Sequence, residues 1–382
     1  MSDEALRGLA GGTRVLVAMS GGVDSGMAAY RLAQAGLDVT GITMHLVPVR
    51  DRPRSGAQAT GEKVCCSLET AESARGVAAR IGIPHYMLNL ADLFEEKVMG
   101  PTRSEYARGR TPNPCVLCNR YMKFDILFGR AEQLGITYVA TGHYARITRD
   151  STGLHLLKGV DPEKDQSYFL AFLTENEMDR ILFPLGWDTK ESVRAEAARI
   201  GLRVADRPES QDLCFFASGF ELPESEETVI VGEPGEIVTT DGMVIGRHQG
   251  IGGYTIGQRK GIPGGMPGRM YVVGIDSEAN RVVVGPDEEL YSSRFTIEDV
   301  SLVSEDRDRR RLDDDLSVQV RYRTEPVSGK VQLSGDGTGS IVLEREVRAI
   351  TPGQIAVWYS GDEVLGAGTI RTVASTRGRQ KT

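Results

Sequence analysis

The sequence predicts an α/β protein: a parallel sheet flanked by helices, then a small β-rich central part, then a sandwich or barrel. Three observations carry this. An apolar run over residues 15–19 breaks at Ser20-Gly21-Gly22 and restarts as an amphipathic helix over residues 25–35. Strand-like and helical stretches then alternate as far as Phe216, the pattern of a parallel sheet covered on both faces. From Glu221 onward turn pairs (Glu233-Pro-Gly, Thr240-Asp-Gly, Gly264-Gly, Gly335-Asp-Gly) become frequent, and short β-branched runs replace the helical period.

Taken in order, residues 37–46 form a second apolar stretch, followed by a polar loop through Pro48, Pro53 and Gly61. Leu68, Ala71, Ala74, Val77, Ala78 and Ile81 recur at helical spacing. Residues 84–90 read as a strand, 91–99 and 122–134 as helices, and 137–141 as a buried strand. Helices over 165–173 and 190–200 close a first domain, residues 1–216. A central domain, 217–290, holds strands at 272–275 and 281–284. The last domain, 291–376, holds strands at 316–322, 329–333 and 340–343, with mixed-charge residues 305–315 as a solvated loop. The tail after Ser375 is expected to fray.

At 382 residues, 40% hydrophobic and 26% charged, the chain has ample material for a core. No apolar run approaches the ~18 residues of a membrane span. The start, Met-Ser-Asp-Glu, lacks the basic-then-apolar order of a secretory signal, so the cytoplasm is the expected location. A net charge of −8 argues against non-specific nucleic-acid binding by the whole surface. Residues 102–130 invert the balance locally, with six basic residues (Arg103, Arg108, Arg110, Arg120, Lys123, Arg130) against Glu105 and Asp125.

The break at Ser20-Gly-Gly-Val-Asp-Ser25 carries the first chemistry. Glycines let the backbone turn tightly and bring N–H groups close to a ligand. The helix that follows offers unpaired N–H groups and a partial positive charge, which suits phosphate. The Gly-Lys-Ser/Thr ending of a Walker loop is missing, so a lysine-held γ-phosphate is not expected. Attack at the α-phosphate, with AMP transfer, is.

Five cysteines is an odd number, and Cys115 and Cys118 form a Cys-x-x-Cys, which in a cytosolic chain favours catalysis or metal over a disulfide framework. They lie in a loop entering a helix, between arginines, where a thiolate is stabilised. Cys214 follows in Ser210-Gln-Asp-Leu-Cys-Phe-Phe216. The adjacent pair Cys65-Cys66 is poorly spaced for zinc. Three cysteines from two loops suit either thiol chemistry or an iron–sulfur cluster with one open iron, and both stay open here. His143 follows a strand end. Asp165, in Lys164-Asp-Gln166, suits a helix cap. Arg321-Tyr322-Arg323, read as lying on a strand, suits a base and a phosphate as well as it suits a solvated face.

Together, Ser20-Gly-Gly-Val-Asp-Ser25, Gly109-Arg-Thr-Pro-Asn-Pro-Cys-x-x-Cys-Asn119, Ala140-Thr-Gly-His-Tyr144, Lys164-Asp-Gln-Ser-Tyr-Phe169, Cys214-Phe, Gly257-Gln-Arg-Lys-Gly261 and Thr351-Pro-Gly-Gln354 resemble the tRNA-specific 2-thiouridylase family (MnmA/TrmU). The match runs in order over residues 14–370. It implies a Rossmann-like PP-loop domain, a small central domain and a C-terminal β-barrel. The implied activity is 2-thiolation of the wobble uridine of tRNA: ATP, with Mg2+, adenylates the C2 oxygen, and sulfur replaces it. The family's nucleophile falls on Cys118. The cysteine that carries a persulfide from a donor protein (a cysteine desulfurase or relay) falls on Cys214, and a disulfide links the two during turnover. The same carry-over has Ala18, Met19, Ser20, Gly21, Gly22, Val23, Asp24, Ser25, Met44 and Gly142 binding ATP. Asn113, Pro114 and Cys115 line the target base. His143, Lys164, Asp165, Gln166, Arg321, Tyr322 and Gln354 contact tRNA, and phosphate contacts of residues 102–130 position an RNA whose target base is flipped out.

Some relatives have an aspartate at the position of Cys115, proposed as acid or base, and that role does not transfer to a cysteine. Cys115, Cys118 and Cys214 as a three-thiolate set resemble instead thiolation enzymes that hold a [4Fe–4S] cluster. Competing readings are a PP-loop thiolase acting elsewhere in tRNA, an amide ligase of the argininosuccinate- or GMP-synthetase type, and a non-catalytic RNA-binding zinc protein. The ligase leaves the cysteines unexplained, and the zinc protein leaves the phosphate loop unexplained. A loop over 215–227 that moves on tRNA binding is a further expectation.

Overall fold

A computed structural model of the chain describes residues 6, 8–46, 68–202, 232–264 and 268–374. Expectations for Cys65, Cys66, Cys214, the loop at 215–227 and the tail lie outside these residues. The chain divides into two units: Met1–Val98, Pro114–Phe220 and Asp362–Val364 form the first, and Met99–Asn113, Glu221–Gly361 and Leu365–Thr382 the second.

In the first unit, β1 (Arg14–Ala18) is covered on both faces, and Val15, Leu16 and Val17 are wholly buried, which is why the run is apolar without alternation. It pairs in parallel with β2 (Asp38–His45) and with β4 (Tyr138–Ala140). The sheet is completed by β3 (His85–Asn89) beside β2 and β7 (Ile181–Leu182) beside β4, in the order β3-β2-β1-β4-β7. The helix α1 (Val23–Gln34) starts at Val23, two residues earlier than expected, with Gly22 at its N-cap. It buries Met27, Ala28, Ala29 and Leu32 against the sheet and against α2 (Leu68–Ile81), whose bounds match the helical spacing. At two residues, β7 is too short to give a period, so the sequence does not announce it.

The hairpin of β5 (Ala145–Asp150) and β6 (Gly153–Lys158) was also not anticipated. Its turn is held by the Asp150 carboxylate, which accepts from Thr152 N at 2.6 Å and Thr152 Oγ1 at 2.7 Å. The helix expected over 165–173 is one turn, Ser167–Leu170, and a second turn, Glu175–Met178, follows behind a capping box of Thr174 and Glu177. The last helix of the unit, α3 (Lys190–Arg199), is capped by the Thr189 hydroxyl.

The second unit holds two β structures. The strands β8 (Gly235–Thr239), β9 (Val244–His248), β10 (Tyr271–Asp276) and β11 (Arg281–Gly285) form a sheet in the order β10-β11-β8-β9 around Ile237, Val272, Val282 and Val284. The strands β12 (Tyr291–Leu302), β13 (Leu316–Gln319), β14 (Val327–Leu333), β15 (Gly339–Arg348), β16 (Ile355–Ser360) and β17 (Glu363–Val373) run β12-β15-β14-β13-β16-β17, and β17 pairs back onto β12. That closes a six-stranded barrel over Phe295, Ile341, Trp358 and Ile370. Closure leaves no unpaired edge.

Two expectations in this unit are corrected. Residues 305–315 are not a plain solvated loop, because Glu305–Arg310 is a helix and Asp308 is wholly buried. The Asp308 carboxylate accepts from Ser304 N (2.8 Å) and Arg307 Nε (2.8 Å), so a charge in the sequence serves as an internal clasp. The strand expected over 316–322 ends at Gln319, which puts Arg321 and Tyr322 in a turn. That turn is closed by Thr324 Oγ1 donating to Arg321 O (2.6 Å), with Arg323 in the left-handed region at φ +64°.

Candidate functional site

The carboxyl ends of parallel strands are where an open α/β sheet binds ligands. Three of the expected stretches meet there: Ala18–Ser25 after β1, Met44 near the end of β2, and Gly142 after β4. The loop is held open by its own hydroxyls. Ser25 Oγ accepts from Ser20 N (3.0 Å), lies 3.2 Å from Ser20 Oγ, and donates to Gly22 O (3.2 Å). Gly21 sits at φ +75°, and a Cβ there would come within 2.2 Å of Thr70 O. A Cβ on Gly142 would lie 2.7 Å from both Asp24 C and Ser25 N. Both glycines are therefore required by close backbone approach. The first N–H groups of α1, just past the N-cap Gly22, receive no side-chain cap, an arrangement that suits an anion.

The charge at this loop is managed. Asp24, in the first turn of α1, is bound by Lys190 Nζ at 2.6 and 2.7 Å and by Tyr144 OH at 2.9 Å. Lys190 is 6% exposed and its ammonium lies 5.6 Å from the centre of the Tyr144 ring. Arg31, on the same helix as Asp24, reaches Asp188 (2.6 Å), Pro184 O (3.2 Å) and Glu196 (2.6 Å), so α1 and α3 are latched together on both sides of Lys190.

A second corner lies after β4. His143 is buried between Phe124 and Phe183, with Thr141 Oγ1 at 2.6 Å from Nδ1 and Lys123 Nζ at 3.4 Å from Nε2. An ammonium can only donate, so Nε2 accepts and Nδ1–H donates to Thr141. Burial, with Lys123 adding to it, holds the imidazole well below the usual histidine range, so it is neutral at physiological pH.

The cysteines lead into this corner. Cys115 lies on Pro114–Leu117, and Cys118 opens a π-helical stretch, Cys118–Asp125, that runs on into the helix Ile126–Gln133. Neither cysteine is in a disulfide. A cleft lined by Val116, Asn119, Arg120, Phe124, Phe169 and Phe172 lies along this helix without Cys118 in its wall.

Several residues expected at the RNA are engaged in building the fold. The Asp165 carboxylate accepts from Gly159 N (2.9 Å), Ser167 N (3.1 Å) and Ser167 Oγ (2.8 Å), and burial raises it above the usual carboxylate range. Gln166 Oε1 accepts from Tyr144 N (3.1 Å), and Lys164 N donates to Asp161 O (3.1 Å). In the second unit, Gln354 Nε2 donates to Thr111 O (2.9 Å) and Pro112 O (3.1 Å), just ahead of Asn113. Arg321 Nη2 donates to Ala349 O (3.3 Å) and Thr351 Oγ1 (3.1 Å), while Tyr322 lies beneath the Arg323 guanidinium at 5.4 Å. Pro114 and Cys115 belong to the first unit and Asn113 to the second.

Comparison with known proteins covers most of the chain. Residues 13–218 match the tRNA methyl transferase HUP domain, 227–286 the tRNA methyl transferase PRC-barrel domain, and 292–370 the aminomethyltransferase β-barrel domain. The tRNA-specific 2-thiouridylase MnmA of Acetivibrio thermocellus is 42% identical over 365 residues, covering 94% of this chain and 99% of that one. Its counterpart in Chloroflexus aurantiacus is 46% identical, covering 93% and 98%. The chain belongs to the tRNA-specific 2-thiouridylase family. Two of the matching domain families are described as tRNA methyl transferase and the third as aminomethyltransferase, whereas the relatives matched along nearly their whole length are thiouridylases.

Within this 2-thiouridylase fold, three cations carry contacts that the sequence does not announce: Lys190, Arg31, and Lys123 as an individual residue. Lys190 begins a helix and was read only as its first residue. Arg31 is an ordinary-looking arginine on an amphipathic helix, and its burial depends on Asp188 and Glu196, more than 150 residues away. Their only signal was type: a lysine or arginine on a helix otherwise packed against the core.

Proposed function

We propose that this protein is an ATP-dependent tRNA uridine 2-sulfurtransferase. The observation that carries the reading is the family membership over nearly the full length, joined to a phosphate cradle without a Walker lysine. The C2 oxygen of the uridine attacks the α-phosphorus of ATP, pyrophosphate leaves, and the N3 proton is lost. The outer sulfur of a persulfide on Cys214 then attacks C2, and AMP leaves with the former oxygen. The Cys118 thiolate attacks the inner sulfur, forming a Cys118–Cys214 disulfide and releasing 2-thiouridine, which regains its N3 proton. A thiol reductant reopens the disulfide. The sulfur source is a donor protein's persulfide, and the setting is the cytoplasm.

The phosphate loop supplies N–H donors to the α-phosphate, where negative charge develops. Asp24, already held by Lys190 and Tyr144, keeps α1 in place and does not repel the nucleotide. Mg2+ accompanies the phosphates of ATP, as it does where no all-protein cage is built. For a [4Fe–4S] cluster the described residues offer two thiols, Cys115 and Cys118, and among them no group of three ligands that could hold a metal.

The test is incubation with ATP, a persulfide donor and unmodified tRNA, followed by nucleoside analysis. AMP release together with 2-thiouridine is expected. The Cys118→Ser variant should lose 2-thiouridine formation by about 10³-fold or more while still adenylating tRNA. A thiolated base at another position, or AMP release indifferent to tRNA, overturns the reading.

A further inference from the structure

At the corner after β4 the chain holds a cation without a counter-charge. Lys123 is half-buried, and its ammonium meets Nε2 of His143 at 3.4 Å. Among the described residues no carboxylate pairs with it. An ammonium has three protons to donate, and the imidazole takes one. The imidazole brings no charge, because burial and the lysine itself keep it deprotonated. Its other nitrogen is locked by Thr141, and its ring is wedged between Phe124 and Phe183. This arrangement orients an ammonium without neutralising it. Taking a cation partly out of water in this way costs free energy unless an anion arrives.

The backbone points the same cation at the reaction. In π geometry, hydrogen bonds run from i to i+5, so Lys123 lies just over one turn beyond Cys118 and on a nearby side of the helix. In an α-helix the residue five positions on would be rotated by roughly 140° to another side. On its other flank, Gly142 packs on Asp24 and Ser25, which sets His143 beside the phosphate loop.

We propose that Lys123 is a phosphate-binding residue of this site, with its ammonium set in place by His143 and Thr141. The ligand is a phosphate diester or anhydride, either of the tRNA backbone beside the target base or of ATP. His143 is then a positioning residue, and the group that meets the RNA or nucleotide is the lysine. This inference rests on the proposed sulfurtransferase reading for the identity of its ligands.

The test uses the full-length chain and measures two affinities separately: unmodified tRNA without ATP across a salt series, and ATP without tRNA. Lys123→Met and Lys123→Gln should each weaken one ligand about tenfold and leave the other within about twofold. If that ligand is tRNA, the slope of log affinity against log salt falls by about one. Lys123→Arg should restore most of the loss. His143→Asn should weaken the same ligand, and add nothing in the Lys123→Met background, as expected of residues acting as one unit. Unchanged affinity for both ligands in the two neutral variants overturns the proposal, as does a His143→Asn effect of full size without Lys123. A wild-type chain that binds neither tRNA nor ATP defeats the sulfurtransferase reading itself.

Discussion

Lys190 and Lys123 stand at the carboxyl edge of one parallel sheet in opposite surroundings. Lys190 is almost fully enclosed and holds both oxygens of Asp24 at 2.6 and 2.7 Å. Lys123 is half-buried and holds a neutral imidazole. The difference follows from what each corner already has. At the phosphate loop, helix α1 supplies N–H groups and the positive end of its dipole. An aspartate in its first turn stabilises the helix but would repel an incoming phosphate, and Lys190 cancels that charge. At the corner after β4 the nearest helix start, Ser167–Leu170, is a single turn whose N-cap Gln166 is spent on the Tyr144 backbone, so attraction for an anion falls to a side chain left uncancelled.

The largest effect that tests this contrast is on stability. Lys190→Met leaves Asp24 without its counter-charge in a mostly enclosed site, held by the Tyr144 hydroxyl. Loss of one partner from a fully buried pair costs ~3 kcal/mol or more, and the partial exposure of Asp24 lowers that here to about 2 kcal/mol. The melting temperature should fall by roughly 4–8 °C. The double variant Asp24→Asn/Lys190→Met should recover most of that loss, while Lys123→Met should move it hardly at all. If Lys123→Met destabilises as much as Lys190→Met, the two lysines are alike and the contrast fails.

A smaller effect appears in acid. The folded-state value of His143 lies well below 6.5, the unfolded one near it. Above pH 6.5 both states are neutral and His143 contributes no pH dependence. Below it the unfolded chain takes up a proton that the folded chain refuses, so stability is lost as pH falls from 6.5 toward the folded value, by at most about 1.4 kcal/mol per pH unit. Urea midpoints between pH 7 and 5 should therefore fall less steeply for His143→Asn than for wild type. Parallel slopes would mean that His143 already carries its proton in the folded protein, and the lysine beside it would then face a like charge.

The same two corners show what the sequence makes legible. The strand, glycine turn and helix around Ser20–Ser25 follow from local rules: apolar run, positive φ, amphipathic period. The cysteine motif is equally plain as a motif. Its π-helical geometry is not, because nothing in Cys118-Asn-Arg-Tyr-Met-Lys-Phe-Asp125 distinguishes an i→i+5 ladder from an α-helix. The expectation that His143 matters came from a family motif, and its burial between Phe124 and Phe183 depends on residues 19 and 40 positions away. The short turn carrying Arg321 and Tyr322 is hidden for a similar reason: residues 316–322 read as strand, and the bonds of Thr324 N and Oγ1 to Arg321 O, with Arg323 at positive φ, end it. Charge misled at Asp308, where a mixed-sign run conceals a buried clasp.

The smallest expected effect separates charge from orientation at Asp24. Tyr144 donates one hydrogen bond to its Oδ1 at 2.9 Å and lies under the Lys190 ammonium. Tyr144→Phe removes the hydroxyl but keeps the ring, so the salt bridge and the cation–ring contact both survive. The loss should be about 1 kcal/mol, a single hydrogen bond to a partly solvated carboxylate, with a KM for ATP within about threefold of wild type. If Tyr144→Phe instead matches Lys190→Met, then Asp24 must be aimed rather than merely neutralised. The phosphate-loop corner would then share with Lys123 and His143 the same device, a charged group whose direction is set by a neutral neighbour.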